Sequence, residues 1–271
     1  MELDELFYKT FNERYQILQR KRMGQKELTL DPVFQEWYFC NAYREDDKAT
    51  EWFRKNMRTK FGGKYDLFAT VAFRVFNWPQ TGQTLLDNDL ILNWDLGRAV
   101  EAILKQDQKI SGAYILKGYT CGCKVRGLAM IADDVFKNLD YHYETLMGMD
   151  KLEDMFNHLV TVPFIGHFTG YQKMQDLKFT HIGEGASDFD TWAVAGPGAI
   201  RGLNRIHGRD LDQRTKSVDY HKEILELQSK QGSLSKSSLH LTASDVQHWL
   251  CELDKYCRIK DGRRMKRRYK R

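Results

Sequence analysis

The chain has 271 residues, 42 Lys and Arg against 37 Asp and Glu, a formal net charge of +5, and 42% hydrophobic residues. At about 150 residues per domain, that is one large domain or two small ones. No apolar run nears the roughly 18 residues of a membrane helix, and the mixed-charge start MELDELF is not expected to be a signal peptide. Aromatics at 13% argue against disorder.

In chain order the pattern reads as helices. Leu3, Leu6, Phe7, Phe11, Tyr15 and Leu18 recur at three- and four-residue steps, with Gly24 placed to end that helix. Asp31-Pro32 offers an N-cap followed by proline in the first turn, opening a helix with Phe34, Trp37 and Tyr38. Helical spacing continues over 47–60, 65–76, 95–107, 125–147 and 150–160, and again over 197–207, 215–230 and 243–257, the last with Thr242 as cap. A short strand from Ala113 to Leu116 is the one extended candidate. The expected fold is mostly α, with residues 1–257 as the folded part and a short serine-rich linker beginning at Gly232.

Residues 258–271 hold nine Lys and Arg against one acid, a local charge of +8 that leaves the remaining 257 residues at −3. Such a tail is an electrostatic footprint for a polyanion, nucleic acid first, or else a flexible solvated run. The five cysteines, Cys40, Cys121, Cys123, Cys251 and Cys257, are expected as reduced thiols. Cys121-Gly-Cys123 has no second Cys/His pair at ligand spacing, so no metal site is expected.

Two segments carry candidate chemistry. Met155–Val162, then Pro163-Phe-Ile-Gly166, then His167–Met174 lay out helix, tight turn, helix. Such a turn presents backbone N–H groups of Ile165, Gly166 and His167, with Lys173 further along, to a phosphate backbone. The alternative is an ordinary turn between two helices. Twenty-two and twenty-four residues after Gly166 come Asp188 and Asp190, followed by the glycine-rich helix start Ala195-Gly-Pro-Gly-Ala-Ile-Arg-Gly-Leu-Asn-Arg205. Gly196 and Gly198 allow close backbone approach, and Arg201 and Arg205 stack four apart on one helix face. Carboxylate, glycines and paired arginines suit a site for a base and a phosphate-like anion. The alternative is a cap carboxylate and two solvated arginines.

The hairpin followed about twenty residues later by an aspartate resembles the helix–hairpin–helix DNA glycosylase superfamily. Within it, Asn41-Ala-Tyr-Arg-Glu-Asp-Asp-Lys-Ala-Thr50-Glu-Trp-Phe, Phe73-Arg-Val-Phe-Asn77, Gly196-Pro-Gly-Ala-Ile-Arg-Gly202 and Trp249-Leu-Cys-Glu-Leu-Asp-Lys-Tyr256 resemble the α-glutamyl/putrescinyl thymine pyrophosphorylase family of phages with hypermodified DNA. The resemblance implies a glycosylase-like, two-lobed helical fold acting on double-stranded DNA in the cytoplasm of an infected bacterium. It also implies a reaction. After a separate kinase has pyrophosphorylated 5-hydroxymethyluracil in DNA, this enzyme replaces pyrophosphate with an amine, an amino acid or a polyamine.

That chemistry needs a flipped base, cationic partners for the leaving group, shielding from water and a base for the incoming amine. By carry-over, Asp188 or Asp190 matches the glycosylase aspartate, Asp190 being preferred as orienter or base. Arg44, Arg74 and Arg201 are candidates for the pyrophosphate, with Arg205 one turn on. Asn77 would read a base edge or cap a helix, and Asp47 would hold Arg44 or meet the incoming ammonium. No resident cofactor is implied, although Mg²⁺ often accompanies pyrophosphate. The chain departs from the pattern at Phe164, where the superfamily often has glycine, and at Phe168, where lyases carry a Schiff-base lysine. It has neither the four-cysteine spacing of an iron–sulfur cluster nor a P-loop, so it is not expected to be the kinase. Two other readings share these features: a monofunctional DNA glycosylase and a non-catalytic DNA-binding module.

Overall fold

The computed structural model describes residues 2–112, 116–214, 218–234 and 240–263. The strand expected from Ala113, part of the linker after Gly232 and most of the basic tail fall outside the described residues. Helices α1 (Leu3–Arg22) and α2 (Pro32–Glu36) open the chain. Then come α3 (Lys48–Asn56), α4 (Lys64–Arg74), α5 (Pro79–Asp87), α6 (Leu96–Leu104), α7 (Lys124–Lys137), α8 (Leu139–Met147), α9 (Leu152–Leu159) and α10 (His167–Leu177). The series ends with α11 (Pro197–Ile206), α12 (Tyr220–Ser229), α13 (Gln231–Leu234) and α14 (Ala243–Lys260). The protein is mostly α, with no strand among the described residues. No helix among them is long and apolar enough to cross a membrane.

Local chemistry sets many of the ends. Asp31 accepts from the Val33 amide at 2.8 Å, and Gly24 follows α1 at φ +72°. Thr242 and Asp245 cap α14 reciprocally, each side chain bonding the other's backbone N–H. The 125–147 pattern is expected as one helix but is two. Asn138 breaks it, its side chain donating to the Asp134 carbonyl at 3.1 Å, the local competition that makes Asn a poor interior residue. Helix α5 was not expected; proline in its first turn behind Trp78 was the available signal.

The chain divides into two compact units, one made of Met1–Asp47 with Asp190–Arg271 and the other of Lys48–Phe189. The first is built on α14. Fully buried Trp249 lies edge-on to Phe11 and donates to the Thr10 hydroxyl at 3.1 Å. Helix α11 packs beside α14 through Gly198 and Gly202. The second unit is built on α4. Every residue from Asp66 to Arg74 is buried, so this helix is surrounded by α5, α7, α8 and α10 rather than lying on a surface.

Candidate functional site

In the Lys48–Phe189 unit, three of the sequence candidates meet. Arg74, the last residue of α4, is buried and forks onto Asp176 of α10, Nε to Oδ2 at 2.5 Å and Nη2 to Oδ1 at 2.9 Å. Its Nη1 donates to Asn77 Oδ1 at 2.6 Å and its Nη2 also reaches Thr50 Oγ1 at 3.0 Å. Asn77 turns the chain at φ +50°, a conformation Asn tolerates better than most residues. Arg58 adds a second guanidinium to the same carboxylate, Nη2 to Oδ1 at 2.9 Å. Phe53 lies under both guanidinium groups, with Phe73 under Arg74 and Phe179 under Arg58.

Lys173 completes this cluster from α10. Its ammonium is 1% exposed and reaches the Thr169 carbonyl at 3.4 Å. Burial, and then the Arg74 charge, push it down to about 7, with Asp176 opposing. Because the folded value lies below the usual lysine range, the unfolded chain holds this proton more tightly. Stability should therefore rise as pH climbs from about 7 toward the unfolded value of about 10.4. Lys173→Met is expected to stabilise the protein at pH 7–8 and to flatten that rise. Urea midpoints across a pH series check it, and parallel slopes for both proteins would mean that Lys173 titrates like an exposed lysine.

The hairpin lies in the same unit. Helix α9, a turn and α10 follow one another as expected, with Gly166 as N-cap of α10 and open space where its Cβ would be. Ile165 is buried beneath the turn while His167 is exposed. Asp188 returns to this motif. Its carboxylate accepts from the amides of Leu152 at 2.6 Å and Glu153 at 3.1 Å, at the start of α9, where a negative charge is favoured.

The other unit holds the remaining candidates. Asp190 is exposed, 3.4 Å from His240 Nε2, and its carbonyl receives the Ala243 amide at 2.8 Å. Arg44 and Asp47 belong to one tight turn over Arg44–Asp46. Burial raises the Asp47 carboxyl, with His248 and the Asn41 amide acting in the opposite sense, and that amide donates to it at 2.8 Å. Gly196 caps α11 and a Cβ there would make only an ordinary contact with Gln247 Nε2 at 3.9 Å, whereas a Cβ on Gly198 would meet Cys251 Sγ at 3.0 Å, so Gly198 faces α14.

Arg201 and Arg205 are brought together. Both donate through Nε at 3.0 Å to the two oxygens of Asp254, which is fully buried on α14. Arg258 approaches the same carboxylate at 3.2 Å, and Arg205 also bonds Asp261. Next to this cluster a cavity of about 430 Å³ is lined by Arg201, Arg258, Arg263, Asp210, Leu211 and Asp212. Planar guanidinium forks held by a buried carboxylate are pre-organised to receive phosphate oxygens.

Asp176 and Asp254, the carboxylates that organise the two arginine clusters, were missed by sequence reasoning. Asp254 was within reach, since it lies inside the Trp249–Tyr256 motif four residues before Arg258. Asp176 was not, because Arg74 is 102 residues away.

The family whose description is 5-hmdU DNA kinase, helical domain, matches this chain over residues 2–265. No curated protein and no solved structure matches it.

Proposed function

Because the chain belongs to the family of the 5-hmdU DNA kinase helical domain, a family tied to modification of 5-hydroxymethyluracil in DNA, we propose that it binds double-stranded DNA carrying this base and acts on its pyrophosphorylated form. In this reading the C–O bond to pyrophosphate breaks, a C–N bond forms at the same methylene, and the amine gives up a proton. The observation that carries it is the cavity beside Asp254. Arg201, Arg258 and Arg263 line a space large enough for pyrophosphate, with Asp210 and Asp212 on its rim, and three convergent arginines suit a leaving anion better than a neutral base. Of the two aspartates we assign the proton to Asp190, whose carboxylate is free of backbone amides. It is exposed to solvent, whereas the Asp188 carboxylate is occupied by two amides of α9.

A second reading has a specific observation behind it. The family is described as the helical domain of a kinase, and these 271 residues contain no P-loop pattern, so the chain would hold the DNA for chemistry done elsewhere. One experiment separates the two. A duplex with pyrophosphorylated 5-hydroxymethyluracil is incubated with the protein and a panel of amino acids and polyamines, then digested and weighed by mass spectrometry. An amine-adducted thymidine is the expected product, lost in Arg201→Ala. Tight binding with unchanged substrate would leave the DNA-holding domain, and an abasic strand would make the protein a glycosylase.

A further inference from the structure

The tip of the hairpin carries a side chain that its backbone does not favour. Phe164 sits at φ +63°, the left-handed region where glycine is the usual occupant and a bulky residue is a genuine outlier. The ring does not fill the core in return, since Phe164 is 45% exposed and Phe168, one helical turn on, 49%. Tyr119 backs Phe164, with ring centroids 4.3 Å apart. Tyr119 is itself fixed: its hydroxyl donates to Asp134 at 2.6 Å and its amide to the Gly127 carbonyl at 3.1 Å. A Cβ on Gly127 would come within 2.1 Å of the Tyr119 carbonyl oxygen, so only glycine lets this support approach.

The segment that braces these rings carries exposed cations, with acids at its margins: Asp134 accepts from the Tyr119 hydroxyl, and Glu153 and Asp154 open α9. Residues 155–175, which include the hairpin turn and Phe168, contain no Asp or Glu, and their one lysine, Lys173, is buried. Residues 108–132, which include Tyr119, also contain none and hold four cations, Lys109, Lys117, Lys124 and Arg126. The last three are exposed. Exposed aromatic rings packed against a segment with three exposed cations complement a polyanion that has flat, apolar bases, more than they complement the apolar face of another protein.

We propose that Phe164 and Phe168 form an apolar wedge that enters duplex DNA and unstacks a base step, with Tyr119 bracing Phe164 and Lys117, Lys124 and Arg126 meeting the flanking phosphates. Wedges of this kind exchange lost stacking for a bent duplex that contacts more protein. The strained φ is then the cost of a ring at a position where glycine would give the same turn. This proposal rests on the reading that the chain binds DNA containing 5-hydroxymethyluracil.

The test uses the full chain and a duplex in which 2-aminopurine neighbours 5-hydroxymethyluracil. Wild-type protein is expected to raise the 2-aminopurine emission at saturation, the signature of unstacking. Phe164→Gly should bind about tenfold more weakly at the same salt and lose that rise, as should Phe168→Ala. The melting temperature of Phe164→Gly should stay within about 4 °C of wild type, because relief of the φ strain offsets the lost Tyr119 contact. Wild-type binding without a rise in emission, or unchanged affinity and emission in both variants, would overturn the wedge and leave DNA binding intact. A large fall in melting temperature would make the Phe164 ring structural and overturn it too. A wild type with no affinity for the duplex would overturn the DNA reading and the wedge together.

Discussion

Asp176→Asn is expected to destabilise the Lys48–Phe189 unit by about 3–5 kcal/mol, the cost of removing one member of a buried ionic group. Asp176 is fully buried and accepts from both Arg58 and Arg74, with Lys173 packed into the same cluster. Asparagine keeps the shape and removes the charge, so two guanidinium groups are left in a low-dielectric site with only a neutral amide between them. For a unit of this size the loss corresponds to a fall in melting temperature on the order of 10 °C. Scanning calorimetry measures it, and a second variant isolates the cause. In a background of Arg58→Met and Arg74→Met, the same Asp176→Asn change should cost far less, since the charges it strands are gone. Equal costs in both backgrounds would mean that Asp176 matters through packing alone.

The second large effect is steric. A Cβ on Gly202 would lie 2.5 Å from the Leu250 carbonyl oxygen, and backbone on α14 has no rotamer by which to yield. Gly202→Ala gains about 1 kcal/mol of helix propensity. Against that, forcing atoms into a packed contact costs about 1–3 kcal/mol or more. The clash should win, and Gly202→Val should lose several kcal/mol. Gly198→Ala is the milder comparison, because its Cβ would meet Cys251 Sγ at 3.0 Å and Cys251 Cβ at 3.2 Å, contacts that need only a few tenths of an ångström of give. We expect Gly198→Ala to cost clearly less than Gly202→Ala, as read from urea denaturation. Equal effects at the two positions would contradict the close packing of α11 on α14. Because Arg201 and Arg205 are carried by α11, Gly202→Val should also loosen their ion pairs with Asp254.

What the sequence determined by itself is whatever is decided within a turn or two of helix. The Asp31-Pro32 start, the Thr242 cap and the glycine after α1 were legible, because the atoms that satisfy each helix end lie a few residues away. The pairing of Arg201 with Arg205 on one face followed from the helical repeat. Even a local event was lost where two signals competed. The apolar stripe through 125–147 runs on, and only the Asn138 side chain, bonded to a carbonyl four residues back, divides it. Tertiary structure decided the rest. Arg74 finds its carboxylate across 102 residues, Asp188 caps a helix that begins 36 residues before it, and Arg201 reaches Asp254 across 53. Spacing within one helix specifies a face, but which charge that face meets depends on how the helices pack. Phe164 shows the same division: the Pro163-to-Gly166 turn is legible in the sequence, while the left-handed backbone of Phe164 and the Tyr119 ring behind it come only from the fold.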